Sequence, residues 1–173
     1  MTAFFSVTSA DKNQVVYWKL EDPWTNQVSY SNGFTVEIRY KVDSVLDGIN
    51  YAFYLRMGDM EGNNTGDIYF STNRIDINKF VPALQNVGGD NTGTFHTLRV
   101  AKEPDSVYFS LWKDDVFLGR RSNPTLSAAN APLMFCDWTS SSGGVFHFDY
   151  VRWDLDGAYA PDPYSKATII SVK

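Results

Sequence analysis

A tyrosine and two arginines are the residues of this sequence best suited to contact a ligand. Tyr54 and Arg56 fall between apolar residues, so they face the polar side of a strand that is apolar on its other side from Tyr51 to Met57. Arg39 faces the same side if the preceding strand is the antiparallel neighbour of this one. An aromatic ring covers the apolar face of a sugar, and a guanidinium donates paired hydrogen bonds to a carboxylate. The set predicts a carbohydrate site suited to an acidic sugar; a solvated sheet face, with Glu37 balancing Arg39, is the alternative.

Three residues in the second half of the chain extend this prediction. Asp137 and Trp138 precede a run of Ser and Gly residues, and an exposed Trp beside an Asp in such a loop suits the rim of a sugar site. The alternative is that Trp138 closes one end of the fold. Trp112 is out of phase with Phe109 and Leu111, so we expect its ring on the opposite, outer side of their strand.

Asp149 is the candidate metal ligand. It interrupts the aromatic strand pattern Val145–Trp153, where a charge requires a partner. That partner is either Arg152, through a salt bridge, or a structural calcium ion. No motif requires a cofactor, so Ca²⁺ is the one ion that the sequence suggests.

Catalytic arrangements are incomplete. Glycosidases use two carboxylates across the scissile bond, but Glu103 and Asp105 flank Pro104, which predicts a hairpin turn. His96 and His147, candidate bases for a polysaccharide lyase, each lie beside phenylalanines, as histidines packed against a sheet do. The sequence has no nucleophile elbow, phosphate loop, zinc-spaced Cys/His set or dinucleotide fingerprint. We therefore favour a protein without catalytic activity, with a lyase or glycoside hydrolase that has a non-standard site as the alternative.

Short alternating segments must position these residues. The clearest runs from Gly33 to Ser44, where apolar and polar residues alternate over about ten positions after the turn-forming pair Asn32–Gly33. No segment repeats apolar residues at helical spacing over three turns. The pattern predicts an all-β fold, specifically a two-sheet antiparallel jelly-roll β-sandwich. The predicted strands are 14–20, 33–44, 50–57, 66–73, 80–84, 94–101, 107–111, 116–119, 133–137 and 145–153.

Length and charge narrow the classes of partner. The 173 residues contain no linker, so we expect one domain over 1–173, with residues 160–173 as an edge strand or a frayed tail. The net charge of −5 argues against nucleic acid as the partner. We expect no membrane insertion, because no apolar run is long enough to span a bilayer. A lone cysteine, Cys136, excludes an internal disulfide.

Four segments together resemble the concanavalin A-like, laminin G-like jelly-roll domains that are often appended to secreted carbohydrate-active enzymes. They are FTVEIRYKV (34–42), YLRMGDM (54–60), GTFHTLRVAK (93–102) and FDYVRWD (148–154), and the resemblance covers nearly the whole chain after Asn13. That superfamily includes lectins, binding modules, β-glucanases and polysaccharide lyases, so the resemblance implies a carbohydrate ligand but no single activity. Its glucanases carry Glu-x-Asp-x-x-Glu on one strand, and here Tyr108 occupies the position of the second Glu after Glu103.

We therefore predict a non-catalytic, lectin-like module that binds a glycan or polysaccharide, including one with acidic sugars. The resemblance implies an extracellular or secreted protein that forms part of a larger carbohydrate-active one. A structural or adhesion domain without a sugar site is a further alternative. The candidate binding residues are Arg39, Tyr54, Arg56, Trp112, Asp137 and Trp138. Exposure of Tyr54, Arg56, Trp112 and Trp138 in one groove would support the binding function most.

Overall fold

The computed structural model describes residues 5–9, 16–20, 31–58, 65–78, 80–123, 133–137, 142–161 and 168–171. Within these ranges the chain forms β-strands and no helix, and the predicted all-β fold, a two-sheet antiparallel jelly-roll β-sandwich, is confirmed. The strands are β1 (Phe5–Thr8), β2 (Val16–Leu20), β3 (Phe34–Val45), β4 (Phe53–Gly58), β5 (Thr65–Phe70), β6 (Ile75–Asn78), β7 (Leu84–Val87), β8 (His96–Lys102), β9 (Tyr108–Lys113), β10 (Val116–Ser122), β11 (Leu133–Asp137), β12 (Gly144–Asp154) and β13 (Thr168–Ser171).

The strands form two sheets. Sheet A has the order β1-β12-β3-β8-β9-β10, with β13 also paired to β12, and sheet B has the order β2-β11-β4-β5-β6-β7. β1 pairs with residues 145–148 of β12 and β13 with residues 150–153, so the two short strands lie end to end along the same edge of β12. Within the described residues, no helix is long and apolar enough to cross a membrane.

The predicted pairing of the strand that contains Arg39 with the strand that contains Tyr54 is wrong. β3 lies between β12 and β8 in sheet A, whereas β4 lies between β11 and β5 in sheet B. Their apolar sides do meet, but across the core, where the rings of Tyr40 and Phe53 are 5.9 Å apart. Alternation identifies which side of a strand is apolar, but it does not identify the neighbouring strand.

Aromatic side chains fill the space between the sheets. The Phe53 ring stacks on Phe70 at 4.3 Å and on Phe146 at 4.7 Å, and Phe146 belongs to the opposite sheet. The Tyr40 hydroxyl, which is fully buried among these rings, donates a hydrogen bond of 2.6 Å to the Asn91 side chain. The rings therefore join the two sheets by close packing, and the buried phenol has an acceptor.

Local sequence explains two of the turns. A Cβ atom on Gly33, whose φ is +77°, would lie 2.5 Å from the Lys102 carbonyl oxygen, so the start of β3 requires glycine. The β9–β10 hairpin turns through Asp114 and Asp115, with φ of 48° and 65°. Both values suit a two-residue hairpin turn, in which Asp is one of the tolerated residues.

The strand predictions miss in three places. β1 and β6 were not predicted, and the predicted strand 80–84 is replaced by β7, which begins at Leu84. β6 has only four residues, with Asp76 between two apolar neighbours, so its alternation is too short to separate from a turn. These misses matter for function because β6 carries part of the candidate site.

Candidate functional site

Three strands of sheet B carry a polar surface on the side that faces away from the core. Alternation and register place Tyr54, Tyr69 and Asp76 side by side across β4, β5 and β6, and place Arg56 opposite Asp67 in the next row. Tyr51, just before β4, and Arg74, just before β6, adjoin this surface. We call this set the tyrosine face; it consists of Tyr51, Tyr54, Arg56, Asp67, Tyr69, Arg74 and Asp76.

Three tyrosine rings form the centre of the tyrosine face. The ring centroids of Tyr51 and Tyr69 are 4.9 Å apart, and those of Tyr54 and Tyr69 are 5.3 Å apart. Tyr54 is fully buried, whereas Tyr51 and Tyr69 keep part of their surface exposed. A pair of partly exposed rings held by a third offers a rigid apolar platform for a ligand.

A buried ion pair supports one side of this platform. Arg56 donates from Nε and Nη2 to the two carboxylate oxygens of Asp67, at 2.8 and 3.0 Å, and Asp67 is only 1% exposed. The Arg56 guanidinium also lies 5.2 Å from the centre of the Tyr54 ring. The Tyr69 hydroxyl donates to Asp67 at 3.3 Å. Burial, together with this neighbouring negative charge, raises the pKa of Tyr69, so the phenol stays protonated at neutral pH.

Asp76 supports the other side. It accepts hydrogen bonds from the Tyr51 hydroxyl at 2.7 Å, from Arg74 Nε at 3.0 Å and from the Asn86 backbone amide at 2.6 Å. Burial alone would raise the pKa of Asp76, but these hydrogen bonds and the Arg74 charge outweigh it and lower that pKa. Arg74, with 26% of its side chain exposed, lies 5.4 Å from the Tyr51 ring centre. A partly exposed guanidinium therefore borders the partly exposed rings.

The outer side of sheet A has a different arrangement, centred on Glu37. This buried carboxylate accepts hydrogen bonds from Arg99 at 2.9 and 2.5 Å, and Arg152 lies 2.5 Å from its other oxygen. The Tyr150 hydroxyl donates to Glu37 at 2.6 Å. Burial and this hydrogen bond to a carboxylate raise the pKa of Tyr150 to about 12. We call this surface the arginine face; its members are Glu37, Arg39, Arg99, Trp112, Tyr150 and Arg152.

The predicted site residues do not converge. Arg39 and Trp112 lie on the arginine face, whereas Tyr54 and Arg56 lie on the tyrosine face, on the opposite side of the sandwich. Asp137, at the end of β11, is fully buried. Trp138 lies outside the described residues.

Two predicted salt-bridge partners are wrong. Arg39, with 40% of its side chain exposed, pairs with Asp149 and not with Glu37, which binds Arg99 and Arg152 instead. Asp149 therefore has an arginine partner, but it is not Arg152. Asp149 is the extra residue of a bulge in β12, because Phe148 pairs with Tyr40 and Tyr150 pairs with the adjacent Arg39. The bulge explains how a carboxylate interrupts an aromatic strand, and sequence spacing gives no sign of it.

In the part of the chain that the structure describes, the geometry supports neither a calcium site nor a histidine that acts as a catalytic base. Among the described residues, no three His, Cys, Asp or Glu side chains are grouped so that they could hold a metal ion, and calcium at Asp149 stays a prediction. His96 Nδ1 lies 2.7 Å from Asp114, and His147 Nε2 lies 2.6 Å from Asp43. Both histidines belong to strands of sheet A, so neither belongs to the tyrosine face.

Sequence reasoning missed five members of the tyrosine face: Tyr51, Asp67, Tyr69, Arg74 and Asp76. A signal was present for two of them, since Asp67 and Tyr69 alternate with Ile68 and Phe70 in the same way that Arg56 and Tyr54 alternate with their neighbours. Tyr51 was assigned to the apolar side, but regular pairing starts only at Phe53.

No family model matches the sequence, and no curated protein matches it. Solved structures match the fold. A carbohydrate esterase from Shiga toxin-encoding bacteriophage phi24B is 14% identical with a TM-score of 0.61, and the match covers 89% of this chain and 81% of that one. The CBM40 of the Ruminococcus gnavus IT-sialidase, bound to α2,3 sialyllactose, is 9% identical with a TM-score of 0.56, over 90% and 94% of the two chains.

The binding domain of botulinum neurotoxin serotype D is 8% identical with a TM-score of 0.59; the match covers 92% of this chain but 41% of that one. At these identities the likeness establishes the β-sandwich fold alone, because one fold supports many functions. The jelly-roll resemblance is thus confirmed at the level of the sandwich, and a narrower concanavalin A-like or laminin G-like assignment stays a prediction.

Proposed function

We propose that this chain is a non-catalytic carbohydrate-binding module that holds a glycan on the tyrosine face. The observation that carries the proposal is the contact between the partly exposed rings of Tyr51 and Tyr69, with the partly exposed Arg74 guanidinium beside them. Rings of this kind stack on the apolar face of a pyranose, and guanidinium and phenol groups bind its hydroxyls. The carbohydrate-related structures with the same fold are consistent with this proposal.

The pairing of the charges favours neutral hydroxyls over an acidic sugar. Arg56 has Asp67 as its partner, and Arg74 has Asp76, so the tyrosine face carries two cations and two anions. A sugar carboxylate would compete with a carboxylate that is already bound and would approach a second one. A hydroxyl accepts from an arginine and donates to an aspartate without breaking either pair.

The same hydrogen bonds argue against hydrolysis. A general acid requires a carboxyl group whose pKa is raised, so that it carries a proton at neutral pH. The pKa of Asp76 is lowered instead, by Asn86, Tyr51 and Arg74 in spite of its burial. We therefore assign the tyrosine face to binding, within a larger extracellular carbohydrate-active protein.

Affinity electrophoresis tests this proposal in gels that contain neutral polysaccharides (a β-glucan, a xylan, a galactomannan) or acidic ones (alginate, pectin). We expect retardation by a neutral polysaccharide, with binding about tenfold weaker in Arg74→Ala, which is the effect of losing one good contact of about 1.4 kcal/mol. Arg120→Ala is the matched control, because Arg120 also lies over a tyrosine, 3.7 Å from the Tyr108 ring centre, and pairs with Glu103. Arg120 lies on sheet A, so we expect Arg120→Ala to change the binding by less than twofold.

Three results would overturn the proposal. Equal loss of binding in both variants would place the glycan elsewhere, and retardation by acidic polysaccharides alone would contradict the assignment to hydroxyls. Release of reducing ends, or of unsaturated uronates absorbing in the ultraviolet, would make the protein a glycoside hydrolase or a lyase.

A further inference from the structure

A cavity on the arginine face is the strongest candidate for an additional site. Its volume is about 510 Å³, and its walls come from β3, β8, β12 and the β9–β10 turn. This volume lies within the range of cavities that bind small ligands. The cavity is on the outer side of sheet A, so it shares no residue with the tyrosine face.

An arginine and a tyrosine that are both fixed by Glu37 line one wall of this cavity. Arg152 keeps 24% of its side chain exposed while one of its nitrogens holds Glu37 at 2.5 Å. Tyr150 is fixed by the same carboxylate at 2.6 Å. Glu37 is 1% exposed and is also held by Arg99, so the side chains of Arg152 and Tyr150 are positioned before any ligand arrives. Groups held in this way lose little conformational entropy on binding.

Carboxylates line the opposite wall. Asp114 accepts hydrogen bonds from the Thr97 backbone amide at 2.8 Å and lies 2.7 Å from His96 Nδ1, while 47% of its side chain stays exposed. Asp115, the next residue of the turn, is exposed and also lines the cavity. The positive φ of both residues fixes the turn that presents them.

This distribution of charge selects the class of ligand. An anionic ligand would meet Asp114 and Asp115, and a cationic ligand would meet Arg152. A neutral polyhydroxylated ligand both accepts from Arg152 and donates to the Tyr150 hydroxyl oxygen and to the aspartates.

Aromatic rings lie beside the cavity, and they narrow the class of ligand further. Register across sheet A places Trp112 directly beside Arg99 and Phe117 directly beside Trp112. The two ring centroids are 5.6 Å apart, and Phe117 is 55% exposed. An exposed ring and a partly exposed one next to a polar cavity match a pyranose, which has an apolar face and hydroxylated edges.

We infer that the arginine face holds a second saccharide site, in which a neutral saccharide bridges Arg152 and Asp115 in the cavity and extends to the neighbouring Trp112. The inference names the same ligand class as the proposed function but uses none of its residues. A module with two such sites on opposite faces of the sandwich would bind two glycan chains, or two parts of one chain, at once.

Two-dimensional ¹H–¹⁵N NMR tests the inference, with neutral mono- and disaccharides (glucose, galactose, mannose, N-acetylglucosamine, cellobiose, lactose) and glucuronate added at millimolar concentration. We expect at least one neutral sugar to shift the Trp112 indole resonance, which Trp112→Phe identifies by its loss. The shift should persist in Arg74→Ala, whose tyrosine face is impaired. The measurement in Arg74→Ala distinguishes the site on the arginine face from the proposed site on the tyrosine face, because either proposal can be refuted without the other.

A matched pair of variants completes the test. Asp115→Gly removes a wall of the cavity at a positive φ that glycine accepts, and we expect binding that shifts Trp112 to weaken about tenfold. Asp105→Gly is the control, because Asp105 is also exposed with a positive φ of 47° but lies outside this cavity. Shifts at Trp112 with glucuronate alone, no shift with any neutral sugar, or equal weakening in both variants would each refute the second site.

Discussion

The two outer faces of the sandwich use the same residue types in different ratios. On the arginine face, one buried carboxylate, Glu37, holds two guanidinium groups and a phenol from two neighbouring strands. On the tyrosine face, each arginine has its own aspartate, as Arg56 has Asp67. On the arginine face, the single carboxylate of Glu37 therefore fixes the side chains of a cavity wall. On the tyrosine face, the two separate Arg–Asp pairs flank the tyrosine rings, which form the contact surface between the pairs.

Removal of the central carboxylate should have the largest effect on stability. Loss of one partner of a buried ion pair costs about 3–5 kcal/mol, because the remaining charge stays buried. Glu37→Gln removes the negative charge that pairs with two guanidinium groups, so we expect a loss near 5 kcal/mol, and Asp67→Asn, which affects one, near 3 kcal/mol. Urea unfolding followed by tryptophan fluorescence measures both. If Asp67→Asn proved the more destabilising, the Glu37 cluster would not be the stronger of the two arrangements.

The same residues show which features of the fold could be predicted from the sequence. Alternation correctly identified the outward side of β3 and β4, because a half-buried strand must place every second residue in the core. It could not identify the sheet to which each strand belongs, so Arg39 and Tyr54 were expected together and lie on opposite faces. Strand neighbours are set by contacts between residues far apart in the sequence, such as Glu37 with Arg99 and Arg152, and no local pattern encodes those pairs.

Hydroxyl deletions on the two faces should have a smaller effect. Tyr150 donates to Glu37 at 2.6 Å, and Tyr51 donates to Asp76 at 2.7 Å, so the two bonds are matched in geometry. Hydrogen bonds to charged groups contribute roughly 1.5–3 kcal/mol. We expect Tyr150→Phe to lose about 2 kcal/mol and Tyr51→Phe somewhat less, because Glu37 is the more deeply buried acceptor. An equal or larger loss in Tyr51→Phe, measured by the same urea titration, would mean that the two acceptors are equally dependent on their phenols.

The smallest effect should come from Asp137, a buried carboxylate on neither face. Within the described structure no arginine is paired with it, and the hydroxyls of Ser9 and Ser142 are close but do not form hydrogen bonds of good geometry with its oxygens. Burial raises its pKa, and the nearby hydroxyls of Ser9 and Ser142 offset only part of that rise. Since its pKa is higher in the folded chain than in the unfolded one, the folded state loses stability as pH rises through these two values. The pH dependence of Asp76 has the opposite sign. Its pKa is lowered in the folded chain, so it stabilises the fold at a pH above the unfolded pKa, and this stabilisation is lost as pH falls through the folded pKa.

Asp137→Asn should therefore raise the melting temperature at pH 7 by about 2–4 °C, the shift that about 1 kcal/mol produces in a chain of this size. The gain should vanish near pH 3, where the carboxyl group is protonated in both states. Asp76→Asn is the control with opposite sign: it should lower the melting temperature at pH 7, and its effect should diminish only as pH falls below the unfolded pKa of an aspartate. A lower melting temperature for Asp137→Asn at pH 7 would mean that this carboxylate has a stabilising partner. If a chelator lowered the wild-type value by the same amount, that partner would be a bound cation.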